Sequence, residues 1–327
     1  MQGGHAVELG LLDRVRAACK AVAQRAQHVH INHEAIPPYA LSLPLQQLAR
    51  PEHDAASHYL GHGADTLAFF LTLDAINFGS GYFPHLRKRP GMSGYFTVAS
   101  SLKEHFESHG PFSATELAAL TAQDCTRIFG QETCNVPIAE LMQLFAQALN
   151  DLGNYLLQRF DGSFLALVES ADRSAERLAG LLIEMPYFND VSWYGELRVP
   201  FYKRAQIASA DLWTALDGQG PGRFDDLDRL TIFADNLVPH VLRLDGVLQL
   251  EDDLVARIDR QELIPAGSAE EVEIRACALH AVELLSAELR QSGQHVPPMK
   301  LDYLLWNRGQ QPQYKAHPRH RARTVYY

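Results

Sequence analysis

Residues 138–160 place Leu141, Met142, Phe145, Leu149, Leu152 and Leu156 three or four positions apart, so a helix of about six turns would carry one apolar stripe along its whole length. Such a stripe is stable only when another element covers it. Alternation with period two is nearly absent from the chain, so the covering elements are expected to be helices too. Residues 7–26 repeat the helical spacing with Leu11, Leu12, Val15, Ala18 and Val22, and predict an amphipathic first helix. Residues 66–78 are apolar on almost every side and predict a buried helix that stops at Gly79-Ser80-Gly81. Ser113 with Glu116, and Ser268 with Glu271, have the spacing of capping boxes and mark two helix starts. The proline-bearing stretch 36–51 is expected to break regular structure, and 218–222 reads as a short connection between helices. Only 196–199 and 323–327 suggest strands. These patterns predict a mainly α chain with minor β. No repeat, low-complexity segment or linker divides residues 1–327, so a single domain is expected.

Composition narrows the function. With 29 Lys and Arg against 39 Asp and Glu the formal charge is −10, which disfavours a general nucleic-acid surface but leaves room for a local anion site. Cys19, Cys125, Cys134 and Cys277 show no CxxC spacing and read as reduced, core-filling thiols of a cytoplasmic protein. No apolar run is long enough for a spanning helix, and no signal-peptide pattern opens the chain, so no membrane is expected.

Among fifteen histidines, His58 and His62 have an i, i+4 spacing, but Gly61 lies between them, no HExxH pattern is present and no third ligand follows. His28, His30 and His33 read as a solvated turn. Gly79-Ser80-Gly81 lacks the lysine and the length of a phosphate-cradling loop. Carboxylates inside apolar runs are more informative, because desolvation readies them for proton transfer or for stabilising a developing cation. Asp74, Asp235 and Asp302 each sit in such a run. Each could equally be a core carboxylate satisfied by hydrogen bonds, and spacing alone does not bring them together. A helix expected to start near Pro200 places Lys203, Ile207 and Asp211 on one face, as a site or as a structural ion pair.

Six blocks in order carry a resemblance: Thr72-Leu73-Asp74-Ala75-Ile76-Asn77-Phe78, Phe201-Tyr202-Lys203-Arg204-Ala205-Gln206-Ile207, Phe233-Ala234-Asp235, Glu271-Val272-Glu273-Ile274-Arg275-Ala276-Cys277, Leu301-Asp302-Tyr303, and the ending His320-Arg321-Ala322-Arg323-Thr324-Val325-Tyr326-Tyr327. Together they resemble the queuosine salvage family, the queuosine 5′-phosphate N-glycosylases, while residues 1 to about 60 match weakly. The resemblance implies a helical fold similar to DNA glycosylases, and hydrolysis of queuosine 5′-monophosphate to queuine and ribose 5-phosphate. A carboxylate can serve that reaction without a metal, and no cofactor is expected. It implies that Asp235 is the catalytic aspartate, as nucleophile or transition-state stabiliser. Phe233, Asp302 and Tyr303 would then be base-binding positions, and His53 an N-terminal binding histidine. Where the family often has a second aspartate after the tryptophan, this chain has Asn307, which keeps hydrogen bonding but loses the charge that would face the amine of the queuine side chain.

Breaking an N-glycosidic bond creates positive charge on the ribose and negative charge on the base. Asp235 suits the first, and hydrogen bonds or a proton donor on the base edge must answer the second. For the 5′-phosphate, Lys203 and the terminal His320, Arg321 and Arg323 are the candidate cations. No protein partner is implied. A base-binding protein without turnover, a nucleic-acid base-excision glycosylase and a metal-dependent phosphohydrolase using His58 and His62 are the competing readings.

Overall fold

The stripe of residues 138–160 lies on the longest helix of the computed structural model, which describes residues 9–48, 52–132 and 134–327. In chain order the helices are α1 (Leu11–Ala23), α2 (Ile36–Ser42), α3 (Ala64–Ala75), α4 (Gly94–His109), α5 (Ala114–Ala119), α6 (Ala122–Ile128), α7 (Val136–Arg159) and α8 (Phe164–Glu169). They continue with α9 (Ala175–Leu182), α10 (Lys203–Ala215), α11 (Val238–Leu244), α12 (Asp252–Asp259), α13 (Ala269–Gln291), α14 (Pro298–Gly309) and α15 (Pro312–Lys315). Strands β1 (Val29–Ile31) and β4 (Leu248–Leu250) pair antiparallel with Val29 opposite Leu250, and β2 (Val191–Tyr194) pairs antiparallel with β3 (Leu197–Pro200). Helices thus dominate, with two small sheets among the described residues.

Two helices are buried on nearly every side and organise the rest. α3 buries every residue from Thr66 to Ala75 against α4, α7, α8 and α10. α13 is the second axis, covered by α1, α2, α11 and α14. Each fully buried Leu, Phe or Ile removed from water contributes about 1.5–3 kcal/mol, so these axes carry much of the driving force. α7 turns its predicted stripe toward α5, α6 and α3, and Gly153 permits the close approach, since a Cβ there would lie 2.4 Å from Ala118 N.

Several local expectations need correction. The first helix covers only Leu11–Ala23, and residues 7 and 8 lie outside the described residues. The proline-bearing stretch contains α2, because Pro37 and Pro38 fall in the first helical turn, where a missing N–H breaks no intrahelical bond. His30 lies in strand β1 opposite Gln249 rather than in a turn. Ser113 and Glu116 form a complete capping box, whereas Ser268 caps α13 alone: Glu271 accepts from Gly267 N instead. Pro200 ends β3, and α10 begins three residues later, after Tyr202 adopts a left-handed conformation with φ 52°.

The largest correction concerns the tail. Residues 323–327 form no strand; they run across Gly79-Ser80-Gly81, whose backbone N–H groups at Gly79 and Ser80 donate to the Tyr327 carbonyl at 3.0 and 3.4 Å. Gly81 is required there, since a Cβ would stand 2.2 Å from the Ala322 carbonyl oxygen. The glycine pair read as a helix stop is a seat for the tail, and α3 itself ends earlier, at Ala75.

Candidate active site

Buried arginines join the two helical groups, and the site forms where they meet. Arg204, fully buried on α10, donates through Nη1 to the carbonyls of Asp74 (3.0 Å) and Ala75 (2.6 Å), which are free because α3 ends there. Its Nη2 donates to the carbonyls of Tyr187 and Val325, tying the tail to the same point. Arg275 on α13 makes a two-pronged ion pair with Asp190 (3.0 and 2.5 Å), lies over the Phe201 ring and donates through Nε to the Ala234 carbonyl at 3.0 Å. Asp190 in turn accepts from the backbone N–H of Lys203. One ion pair therefore fixes both the start of α10 and the backbone beside Asp235.

The segment 231–237 has no regular structure and is held by side chains. Gln206 clamps Thr231, and Asn236 donates to Ser80 Oγ and to the His320 carbonyl. Between Leu230 and Leu242 every residue is buried except Asp235, which is half-buried. Its Oδ1 accepts from the backbone N–H groups of Leu237 (2.7 Å) and Val238 (3.2 Å), donors suited to a carboxylate at the start of α11.

Asp235 opens onto a cavity of about 390 Å³. Segment 231–237 and α14 line it with Phe233, Asp302, Tyr303, Trp306 and Asn307; α10 contributes Lys203 and Asp211; His53, His58, Tyr95, Phe96, Asn77, Phe78, Ser80, Arg319 and Tyr327 complete the lining. Asp302 is 6% exposed, and its Oδ1 accepts from the Phe233 N–H at 2.9 Å. Burial raises its pKa well above the usual carboxylate value; the charges of Asp235 and Asp211 add to this, and the Phe233 N–H and Lys203 oppose it. Asp74, at the end of α3, is also held protonated by burial and by its neighbour Asp211, whose pKa burial raises to about 7. The Asp74 Oδ2 is buried with no hydrogen-bond partner among the described residues, where a proton costs less than a bare negative charge. Burial lowers the Lys203 pKa, with Asp235 opposing, and its Nζ donates to the Asn77 carbonyl at 3.3 Å. His53 meets the Asp211 carbonyl at 3.2 Å through Nε2 and packs on Phe70; burial lowers its pKa to about 4, so it is neutral near pH 7.

The fold thus brings together Phe233, Asp235, Asp302, Tyr303, Asn307, His53 and Lys203, which sequence spacing left apart. It does not bring Arg323. That guanidinium lies over the Tyr82 ring with Glu140 at 3.9 Å, away from the cavity. His320 is buried behind the wall, and Arg321 donates to the Gln261 carbonyl. The tail's cavity cation is Arg319, two and four residues earlier than the arginines chosen from sequence. Its side chain is open to the cavity and has no ion-pair partner among the described residues; desolvation by the concave wall lowers its pKa, with Asp235 opposing. A basic run was visible, but in a segment without period nothing in the sequence says which arginine points inward. Arg275 and Gln206 were also missed. Their only signal was charged or polar residues at positions of helices that are otherwise buried.

His58 and His62 do not share a helix face: His58 bonds Tyr95 OH through Nε2, and His62 stacks on Tyr59. Among the described residues no group of three His, Cys, Asp or Glu side chains is placed to hold a metal ion. No helix among them is long and apolar enough to cross a membrane.

The family described as queuosine salvage protein matches residues 57–327. A protein of Sphaerobacter thermophilus named queuosine 5′-phosphate N-glycosylase/hydrolase is 38% identical, over 98% of this chain and 98% of its own. Proteins of the same name from Mus musculus and Dictyostelium discoideum are 33% and 29% identical, over 95% and 97% of this chain and 98% and 99% of theirs. Similarity to these relatives therefore extends through the N-terminal part, which had matched only weakly by its motifs.

Proposed function

Because the chain belongs to the queuosine salvage protein family, we propose that it hydrolyses the N-glycosidic bond of queuosine 5′-monophosphate, releasing queuine and ribose 5-phosphate. The observation that carries this reading is Asp235: the one half-buried residue of a buried loop, pinned by two backbone N–H groups and facing a cavity with an aromatic ring and a second carboxyl beside it.

In this reading Asp235 lies against the anomeric carbon and stabilises the oxocarbenium-like transition state or traps it covalently. Its pinned oxygen means that little reorganisation is needed as positive charge grows on the ribose. Phe233 stacks on the base, Asp302 and Tyr303 meet its edge, and His53 and Asn307 bind further along the cavity. Asn307 is exposed at the mouth, so the amine of the queuine side chain finds an amide there instead of a charge. Arg319 takes the 5′-phosphate, since a guanidinium without a carboxylate partner can offer its full donor fork. Lys203 serves differently: engaged with Asn77 and surrounded by Asp74, Asp211 and Asp235, it offsets acid charge in the wall.

The remaining features fit a cytoplasmic enzyme acting on a free nucleotide. All four cysteines are free thiols, and the −10 charge supplies no track for a nucleic-acid backbone. With His53 lining the cavity and α1 packed on α13, the described N-terminal residues belong to the same domain as the rest.

The test is incubation with queuosine 5′-monophosphate and chromatographic detection of queuine, with EDTA-treated protein and Asp235→Asn in parallel. Release with and without EDTA, lost in the variant, is expected. A folded wild type that binds the nucleotide but releases nothing would leave a binding protein.

A further inference from the structure

On the reading just given, one step has no donor assigned. When the C1′–N9 bond breaks, both electrons leave with the base. A purine can relieve that charge by taking a proton at N7, but a 7-deazapurine has carbon there, so the proton must reach another atom of the base edge.

Most cavity groups are unsuited to deliver it. His58 has both ring nitrogens engaged, by the Asp54 carbonyl and Tyr95 OH, and His53 meets the Asp211 carbonyl. Lys203 donates to the Asn77 carbonyl and keeps its proton against the charges of Asp235, Asp74 and Asp211, and Asp211 lies 3.9 Å from His53 Nε2. Asp302 differs from all of these. It is 94% buried by its 6% exposure, yet it lines the cavity; one oxygen is fixed by the Phe233 N–H, and the other has no protein partner among the described residues. Phe233 is two residues from Asp235, so a single backbone segment sets the position of both carboxyls.

We infer that Asp302 is the general acid of the reaction, donating the proton of its free carboxyl oxygen to the departing base while Asp235 serves the ribose. The balance is complete. A water oxygen bonds to C1′, the C1′–N9 electron pair passes to the base, the Asp302 proton bonds to the base edge, and the proton shed by the water is taken up by Asp235. The proton gained at Asp235 and the one lost at Asp302 cancel when the site returns to its starting state. The surroundings favour a protonated acid at rest: Asp235 from segment 231–237 and Asp211 from α10 both repel a second negative charge, and only Lys203 and the Phe233 N–H oppose them.

This inference rests on the substrate proposed above, and its test separates the two. Wild type and Asp302→Asn are assayed on queuosine 5′-monophosphate and on 4-nitrophenyl β-D-ribofuranoside 5-phosphate, whose nitrophenolate leaves without a proton. Asparagine keeps a hydrogen-bonding edge but has no acidic proton. On the nucleotide, kcat should fall about 100-fold or more with KM nearly unchanged, whereas the nitrophenyl rate should fall by less than about tenfold. In wild type alone, kcat on the nucleotide should decline as pH rises and the acid is lost, while the nitrophenyl reaction shows no such limb. Equal losses on both substrates, a change confined to KM, or identical pH profiles would overturn the acid role. Wild type that splits neither compound would overturn the substrate reading itself.

Discussion

Two charge clusters lie side by side in this protein and are built to opposite rules. Around Arg275, the charge of Asp190 is matched at close range, Glu271 at 3.6 Å is pushed toward its neutral form by burial, the guanidinium lies over the rings of Phe201 and Tyr327, and its remaining donor closes on Ala234. Around Lys203, acid is in excess: Asp74, Asp211, Asp235 and Asp302 share one ammonium group, and Arg204 is committed to backbone carbonyls. Both are buried. The first has no unmet requirement and holds two chain segments in place; the second keeps free oxygens and an uncompensated acid, which a cavity can turn to proton transfer and cation stabilisation. Satisfied burial makes scaffold, and unsatisfied burial beside a cavity makes chemistry.

The sharpest way to break this contrast is to remove one charge from the balanced cluster. Asp190→Ala should destabilise by about 3–5 kcal/mol, read by urea unfolding, because Arg275 would stay buried without its main counter-charge. A loss below 1 kcal/mol would mean that the cluster is not scaffold. Asp235→Asn should show the reverse, with turnover reduced about 100- to 1,000-fold and the unfolding midpoint nearly unchanged, since asparagine can still cap α11. Arg319→Ala is expected to raise KM for the nucleotide about tenfold or more, the worth of a charge-assisted hydrogen bond, and leave stability alone. Arg323→Ala is its control: that side chain lies outside the cavity, and KM should not move.

The smallest effect is a pH dependence of the scaffold. Burial and the nearby Arg275 lower the His320 pKa to about 3, whereas the unfolded chain takes up that proton near 6.5. Between these values the unfolded state binds more protons, so the stability from His320 is present above about pH 6.5 and is lost as pH falls toward 3. Glu271, whose pKa burial raises, works in the opposite sense, so the net slope is shallow. His320→Gln should flatten the decline of the unfolding midpoint on acidification, and an unchanged slope would remove His320 from the account.

The contrast also shows what could be read before folding. The stripe of α7, the all-apolar surface of α3 and the capping box at Ser113 are local, and each was visible because helix periodicity and capping involve residues within a turn of one another. The tail failed as a strand because its partners are Gly79 and Ser80, more than two hundred residues away, and because it contacts backbone rather than a sheet. Asp74, Asp235 and Asp302 stood out as carboxylates in apolar runs, but the sequence could not separate them. Asp74 is closed off from the cavity, Asp302 is buried with one oxygen free, and Asp235 is half open to the cavity.

What the sequence determined by itself was therefore the helical class, the placement of the main helices and a set of residues capable of chemistry, since all of these follow from short-range spacing and side-chain type. Only the tertiary structure decided that the cavity closes between α10, α14 and segment 231–237, and that Arg319 rather than Arg323 faces it. The physical reason is that a group's accessibility and electrostatic surroundings are set by whatever packs against it, and here that is chain from distant parts of the sequence.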